Sequence, residues 1–270
     1  TLSDLSQGNS LRAALPRAIV KRGGETAVFD AGRILSAIAR AGQASGDAKI
    51  TDAGAVLTAG RLAAEIVLAY EGSAIRTGTS SGSTIGQTTI SNDVAALMAQ
   101  RTAILDRLGW SGRTNAHVAA GVDISSSGSL ELTQDWNLAA LNDGGEIGFL
   151  TLRAAGDLDL RGSLSDGFAG VARTAALSAG DSWSYRLVAG ADLDSANLMQ
   201  TASGAQAGDV KLAGDKVYRT GNGSIEVAAA RDVVLGGTTA APAVIYVAGA
   251  QSVLSAQDQA LYSGPSNATF

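Results

Sequence analysis

Apolar and polar residues alternate along this chain in short bursts. In "GFLTLRAAGDLDLRGSL" (residues 148–164), Leu150 and Leu152 occupy alternate positions, then Leu158 and Leu160 do the same. Between the two pairs stands Ala154-Ala155-Gly156-Asp157. Period-two alternation over a few residues marks a half-buried strand, so the stretch predicts two short strands joined by a sharp bend. The arrangement recurs. "GVDISSSGSLELTQDWNL" (121–138) pairs Val122 and Ile124 with Leu130 and Leu132, and "SYRLVAGADLDSANL" (184–198) places Ala189-Gly190-Ala191 between Leu187 and Leu193. "GDVKLAG" carries Val210 and Leu212, and "GSIEVAAARDVVLGG" carries Ile225, Val227, three alanines, then Val233 and Leu235. Strand starts at Gly128, Gly148, Gly208, Gly223 and Ala243 are often about 15–20 residues apart, with larger gaps where loops intrude. Such self-similarity without helical periodicity predicts a solenoid.

The fold expected from this pattern is all-β: a right-handed parallel β-helix whose coils each hold two or three short strands. Strands of successive coils pair about 4.8 Å apart, and alternate residues enter a narrow core. The small runs at 154–156, 189–191 and 228–230 suit bends between stacked coils. Asp157, Asp192 and Asp232 follow those bends, where a carboxylate accepts hydrogen bonds from local backbone N–H groups.

One segment departs from the pattern. "SNDVAALMAQRTAILDRLGW" (91–110) predicts a short amphipathic α-helical excursion, capped by Ser91 or Asn92 and stopped at Gly109. Val94, Leu97, Met98, Ile104, Leu105 and Leu108 form its apolar stripe, expected to bury along the side of the solenoid. "GTSSGSTIGQTT" (78–89) reads as a loop leading into it, and 163–182 as a second excursion. Looser alternation in "TAVFDAGRILSAIARAG", "DAKITDAGAVLTAG" and "LAAEIVLAYEGSAI" extends the coils to the N-terminal side. The organisation expected is one continuous solenoid: weakly patterned coils over 1–90, the helical excursion over 91–110, and coils over 111–270.

Composition sharpens this picture. The 34 glycines against 3 prolines suit many tight turns inside repeated backbone pairing, since proline removes a ladder donor. Disorder competes for a Gly/Ser-rich chain, but the alternation persists along most of the sequence. Net charge is −5 with no basic stripe, which removes the electrostatic footing for nucleic acid. Cysteine is absent, excluding disulfides, thiolate metal sites and a cysteine nucleophile. No run of about 18 uncharged apolar residues predicts a transmembrane helix.

Five blocks in order, "HVAAGVDISSSGSLELTQDWNLAAL", "GFLTLRAAGDLDLRGSLSDGF", "SWSYRLVAGADL", "RTGNGSIEVAAARDVVL" and "AVIYVAG", closely resemble a conserved module of filamentous haemagglutinin-like exoproteins. These are the large secreted partners of bacterial two-partner secretion systems. The resemblance covers about residues 100–270; residues 1–90 share only the style. It implies a right-handed parallel β-helix, export through an outer-membrane β-barrel transporter, and a secreted or cell-surface role in adhesion, aggregation or display. The family's N-terminal secretion-signal domain is not recognisable, so an internal segment is expected, with coil ends that associate end to end or laterally. Expected partners are the transporter during export and a host or bacterial surface glycan or protein.

No catalytic, cofactor-binding or metal-binding residue is assigned, and no cofactor is expected. "GTSSG" (78–82) matches the G-x-S-x-G elbow around Ser80, but a Ser/Thr-rich loop replaces the apolar strand that the elbow requires. His117, the sole histidine, reads as a loop or strand-start residue rather than a base. Asp157, Asp159, Asp192, Asp194, Glu226 and Asp232 could form a carboxylate cluster for acid/base work or calcium, as on polysaccharide lyases and glycosidases. Interleaved Arg153, Arg161, Lys211 and Arg231 argue instead for charge balancing. Trp110, Trp136 and Trp183 either stack on sugars or pack beneath the excursions, and packing is the expectation. Asn222 and Asn267 begin N-glycosylation patterns of little force in a bacterial exoprotein. The functional expectation is a non-enzymatic structural and adhesive segment. The alternatives are a carbohydrate-active β-helix enzyme and a carrier stalk for a distal toxin domain.

Overall fold

The computed structural model describes residues 18–20, 26–28, 62–142, 146, 148–204 and 207–249. The N-terminal alternation from residue 29 to 61 and the pattern at Asn267 lie outside the described residues. The chain divides into two compact units. One is Thr1–Leu62 with Thr114–Ala116; the other is Ala63–Arg113 with His117–Phe270. In the first, β1 (Ala18–Val20) and β2 (Thr26–Val28) form an antiparallel pair. Among the described residues, the second holds strands arranged almost wholly in parallel sheets, with two α-helices.

After β3 (Leu62–Glu71), β4 (Ala74–Arg76) and β5 (Thr84–Gly86), the helices α1 (Gln87–Met98) and α2 (Arg101–Arg107) precede a regular succession. β6 (Ala116–Ser126), β7 (Leu130–Leu132) and β8 (Trp136–Asn137) enter three different sheets. β9 (Phe149–Ala154), β10 (Leu158–Leu160) and β11 (Leu164–Ser165) return to the same three in the same order. So do β12 (Ser184–Ala189), β13 (Val210–Leu212) and β14 (Val217–Thr220), and then β15 (Ile225–Ala229), β16 (Val233–Leu235) and β19 (Val244–Val247). Between β16 and β19, β17 (Gly237–Thr238) and β18 (Ala241–Pro242) form a small antiparallel hairpin.

The register puts like on like. Ile124, Leu152, Leu187 and Val227 are successive partners in the first sheet. Leu132, Leu160, Leu212 and Leu235 follow each other in the second. Trp136, Leu164, Tyr218 and Ile245 do so in the third. Because side chains alternate between faces, these columns and their second neighbours converge on one apolar cluster. Each fully buried leucine contributes about 1.5–3 kcal/mol relative to exposure. The columns lose cover at β16, an edge strand, where Leu235 is 53% exposed against 2% for its partner Leu212.

The repeat is longer than the 15–20 residues read from the sequence. That spacing separates strands of different sheets. Equivalent residues of the first two turns are 28 apart, as in Ser129/Asp157 and Asp135/Ser163. Insertions over 166–183 and 191–207 stretch the next interval to 52, as between Asp157 and Asp209, before it shortens to 23 between Asp209 and Asp232. Leu193, expected in a strand, lies in a turn of the second insertion.

The helical segment also differs from expectation. It begins at Gln87, not at Ser91, and breaks at Ala99–Gln100 into two helices. Its N-cap is Gly86 without a side-chain bond, while the Ser91 hydroxyl donates back to the Gln87 carbonyl. Burial decides the start: Ile90, Val94 and Met98 share one face and join the central cluster beside Leu138 and Leu141. One face of the helix thus packs on the core, and its other residues stay half-buried or exposed. The second half of the stripe does not follow. No residue of α2 is buried, and Leu108 is exposed. Among the described residues no helix is long and apolar enough to cross a membrane.

Candidate functional site

Polar side chains line the corners that precede the second sheet. Ser129, Asp157, Asp209 and Asp232 each stand immediately before a strand of the second sheet. The Ser129 hydroxyl accepts from the Asp157 N–H (3.1 Å). Asp157 Oδ1 accepts from the N–H groups of Gly208 and Asp209 (2.9 and 3.0 Å), and Asp209 Oδ1 accepts from Asp232 N–H (3.3 Å). Ser129, Asp157 and Asp209 thus satisfy the backbone of the following turn, not their own bend. Asp157 Oδ2 also pairs with Lys211 Nζ at 2.6 Å. That ammonium and the two backbone donors hold its carboxyl down at about 2. Asp192 alone keeps the local role expected of these aspartates: it accepts from the Asp194 N–H in a turn of the second insertion.

The remaining carboxylates do not converge. Asp159 pairs with Arg161, Glu226 stands on the first sheet as the partner of Arg186, and Asp192 and Asp194 sit in the second insertion. No group of three or more potential metal ligands occurs among the described residues. Arg153, read as a charge-balancing residue, forms a buried two-point ion pair with Asp123 (3.0 and 2.6 Å).

The other sequence candidates have structural partners as well. The Ser80 hydroxyl accepts from Gly86 N–H and its own N–H donates to Thr89, which folds the 78–89 loop on itself. His117 Nδ1 lies 3.1 Å from Glu146, a carboxylate that also meets Arg101. Trp136 and Trp183 are buried, and the Trp183 ring covers Gly148 so closely that a Cβ there would lie 2.3 Å from it. The Asn222 amide is engaged, donating to Asp181 and accepting from Ser182.

The feature that sequence reading missed is centred on Arg219, on β14. Its guanidinium is fully buried and spends five N–H bonds on neutral oxygens. Nε donates to the Ser165 hydroxyl, Nη1 to the Arg173 carbonyl and the Tyr246 hydroxyl, and Nη2 to the carbonyls of Gly170 and Ala172. The Phe168 ring lies 3.9 Å from its central carbon. One side chain therefore fastens the first insertion to the third sheet.

Beside this clasp is a cleft of about 420 Å³, walled by Val171, Ala172 and Arg173 of the insertion and by Asp135, Ser163, Asp215 and Lys216 of the turn corners. Burial raises the Asp135 carboxyl, but bonds from the Ser163 N–H and Lys216 outweigh it and leave the group below its usual range. Asp135 Oδ1 lies 3.0 Å from Lys216 Nζ, and Asp215 Oδ1 lies 3.5 Å from Arg173 Nε. Asp215 has φ +59°, the only left-handed residue other than glycine among those described, and its N–H donates to the Ala241 carbonyl. The warning signal in the sequence was an arginine, Arg219, at a place in the repeat where Asn137 and Ser165 stand in earlier turns. Comparison with protein-family models, curated proteins and solved structures finds no match.

Proposed function

We propose that this chain is a non-enzymatic structural and adhesive segment of a large secreted bacterial surface exoprotein of the filamentous-haemagglutinin kind, and that its three sheets are the faces of a right-handed parallel β-helix. The observation that carries the reading is the succession of strands through the same three sheets in the same order, four times, with like residues in register. Parallel crossover connections are right-handed in about 98% of cases, which supplies the hand. The corner ladders support it further, because Ser129, Asp157 and Asp209 each bond the turn that follows. Carboxylates that bond one turn to the next, as at Asp157 and Asp209, suit a shaft. Its specific surfaces are the insertions, which leave the regular turns and carry their own supports.

The test places the chain behind a two-partner secretion domain, together with the cognate outer-membrane transporter, and follows surface labelling, protease accessibility and adhesion of whole cells. The expected result is a surface-exposed, folded segment that raises adhesion or aggregation. Retention in the periplasm, or cleavage of polysaccharide by the purified chain that Asp157→Asn abolishes, would overturn the reading.

A further inference from the structure

We infer that the cleft between the first insertion and the turn corners at Asp135 and Asp215 binds a neutral pyranose sugar. The inference rests on the surface-segment reading above and names a ligand class for it. Three independent features single the cleft out. First, its volume of about 420 Å³ lies in the range of small-ligand pockets and suits one or two sugar rings. Second, one wall is fixed in advance: the carbonyls of Gly170, Ala172 and Arg173 are all bonded to the buried Arg219. A wall that is already ordered costs little further entropy on binding. Third, Asp215 is held in a left-handed conformation that an L-residue rarely adopts, and such outliers cluster at binding sites. A glycine would fill that backbone position without strain, yet a carboxylate stands there.

The charges identify the ligand class. Two carboxylates, one ammonium and one guanidinium face the cleft, already matched as Asp135–Lys216 and Asp215–Arg173. An anion would leave Asp135 and Asp215 opposed to it, and a cation would do the same for Lys216 and Arg173. A neutral ligand with adjacent hydroxyls avoids both conflicts. Each hydroxyl can donate to a carboxylate and accept from the neighbouring ammonium or guanidinium. The methyl groups of Val171 and Ala172 supply an apolar wall for the C–H face of a ring.

The experiment is a methyl-detected NMR titration of the full chain with methyl β-galactopyranoside, methyl α-mannopyranoside, lactose and maltose. Sialyllactose and spermidine serve as the anionic and cationic comparisons. The result expected is a saturable shift of the Val171 and Ala172 methyls with at least one neutral sugar. It should weaken at least tenfold in Asp215→Gly and in Lys216→Met. Asp215→Gly keeps the fold, since glycine accepts the left-handed φ, and an unchanged thermal midpoint verifies this. The inference is overturned if no neutral sugar shifts those methyls, if only the charged probes do, or if the shift survives both substitutions. Each of those results would leave the export test above unaffected.

Discussion

Replacing Arg219 by methionine tests how the first insertion is held. Methionine keeps much of the aliphatic volume and removes all five donors. The Gly170, Ala172 and Arg173 carbonyls lie on a partly exposed loop and regain water when it opens, whereas the Ser165 hydroxyl is fully buried and does not. Bonds from a charged donor contribute about 1.5–3 kcal/mol each, but removal also relieves the desolvation of a buried guanidinium. No carboxylate is among its five partners, so the loss is not compounded by a stranded opposite charge. Three loop carbonyls at about 1 kcal/mol net apiece give roughly 3 kcal/mol of lost local closure, or about a hundredfold more open loop. Arg173 lies in that loop and is exposed, so trypsin reports opening directly through cleavage after Arg173. The rate of that cut, identified by fragment mass, should rise about a hundredfold in Arg219→Met. It should rise nearly as much in Arg219→Lys, which keeps the charge but loses the fork. A rate within twofold of the parent in both variants would refute the clasp.

Three further outcomes follow from the same structure. Leu158→Asp places a carboxylate at a fully buried column position and should cost about 3–5 kcal/mol by chemical denaturation; an unchanged midpoint would reverse the assignment of faces. Asp157→Asn keeps an acceptor for Gly208 and Asp209 but loses Lys211, and should cost about 1–2 kcal/mol at pH 7 after allowance for screening. The folded carboxyl lies below its unfolded value of 3.8, so its contribution is complete above that pH and disappears as pH falls toward about 2; a stability difference between parent and variant that persists below pH 2 would contradict this. Gly162→Ala would put a Cβ 2.1 Å from the Gln134 backbone and should cost about 2–3 kcal/mol, visible as a lower thermal midpoint.

How much of this was legible in the sequence depends on strand length. Leu150/Leu152 and Leu158/Leu160 announce β9 and β10 because three to six residues suffice to show alternation. The third strand of each turn is as short as two residues, Trp136–Asn137 or Leu164–Ser165, too few to carry a period. The true repeat was hidden by the insertions, which nearly double one interval. The corner carboxylates had a readable signature: Ser or Asp followed by apolar residues at the first and third positions. It fits Ser129, Asp157, Asp209 and Asp232, and it fails at Asp192, where Ser195 takes the third place. The helix starts about one turn before Ser91, at Gln87, because burial of Gln87 and Ile90 outweighs the capping signals of Ser91 and Asn92. Arg219 and the cleft beside it depend on residues 27 to 81 positions apart, and no local pattern joins them.

The most direct test of stacked turns uses the absence of native cysteine. Three double variants place cysteines at register partners, one pair in each sheet: Arg186/Glu226, Asp159/Lys211 and Val217/Val244. Adjacent parallel strands lie about 4.8 Å apart, within disulfide reach. Stacked turns predict that all three pairs cross-link under mild oxidation, while Asp159 paired with Glu226, which lie in different sheets, does not. Failure of any register pair, or cross-linking of the mismatched pair at equal yield, would contradict the β-helix.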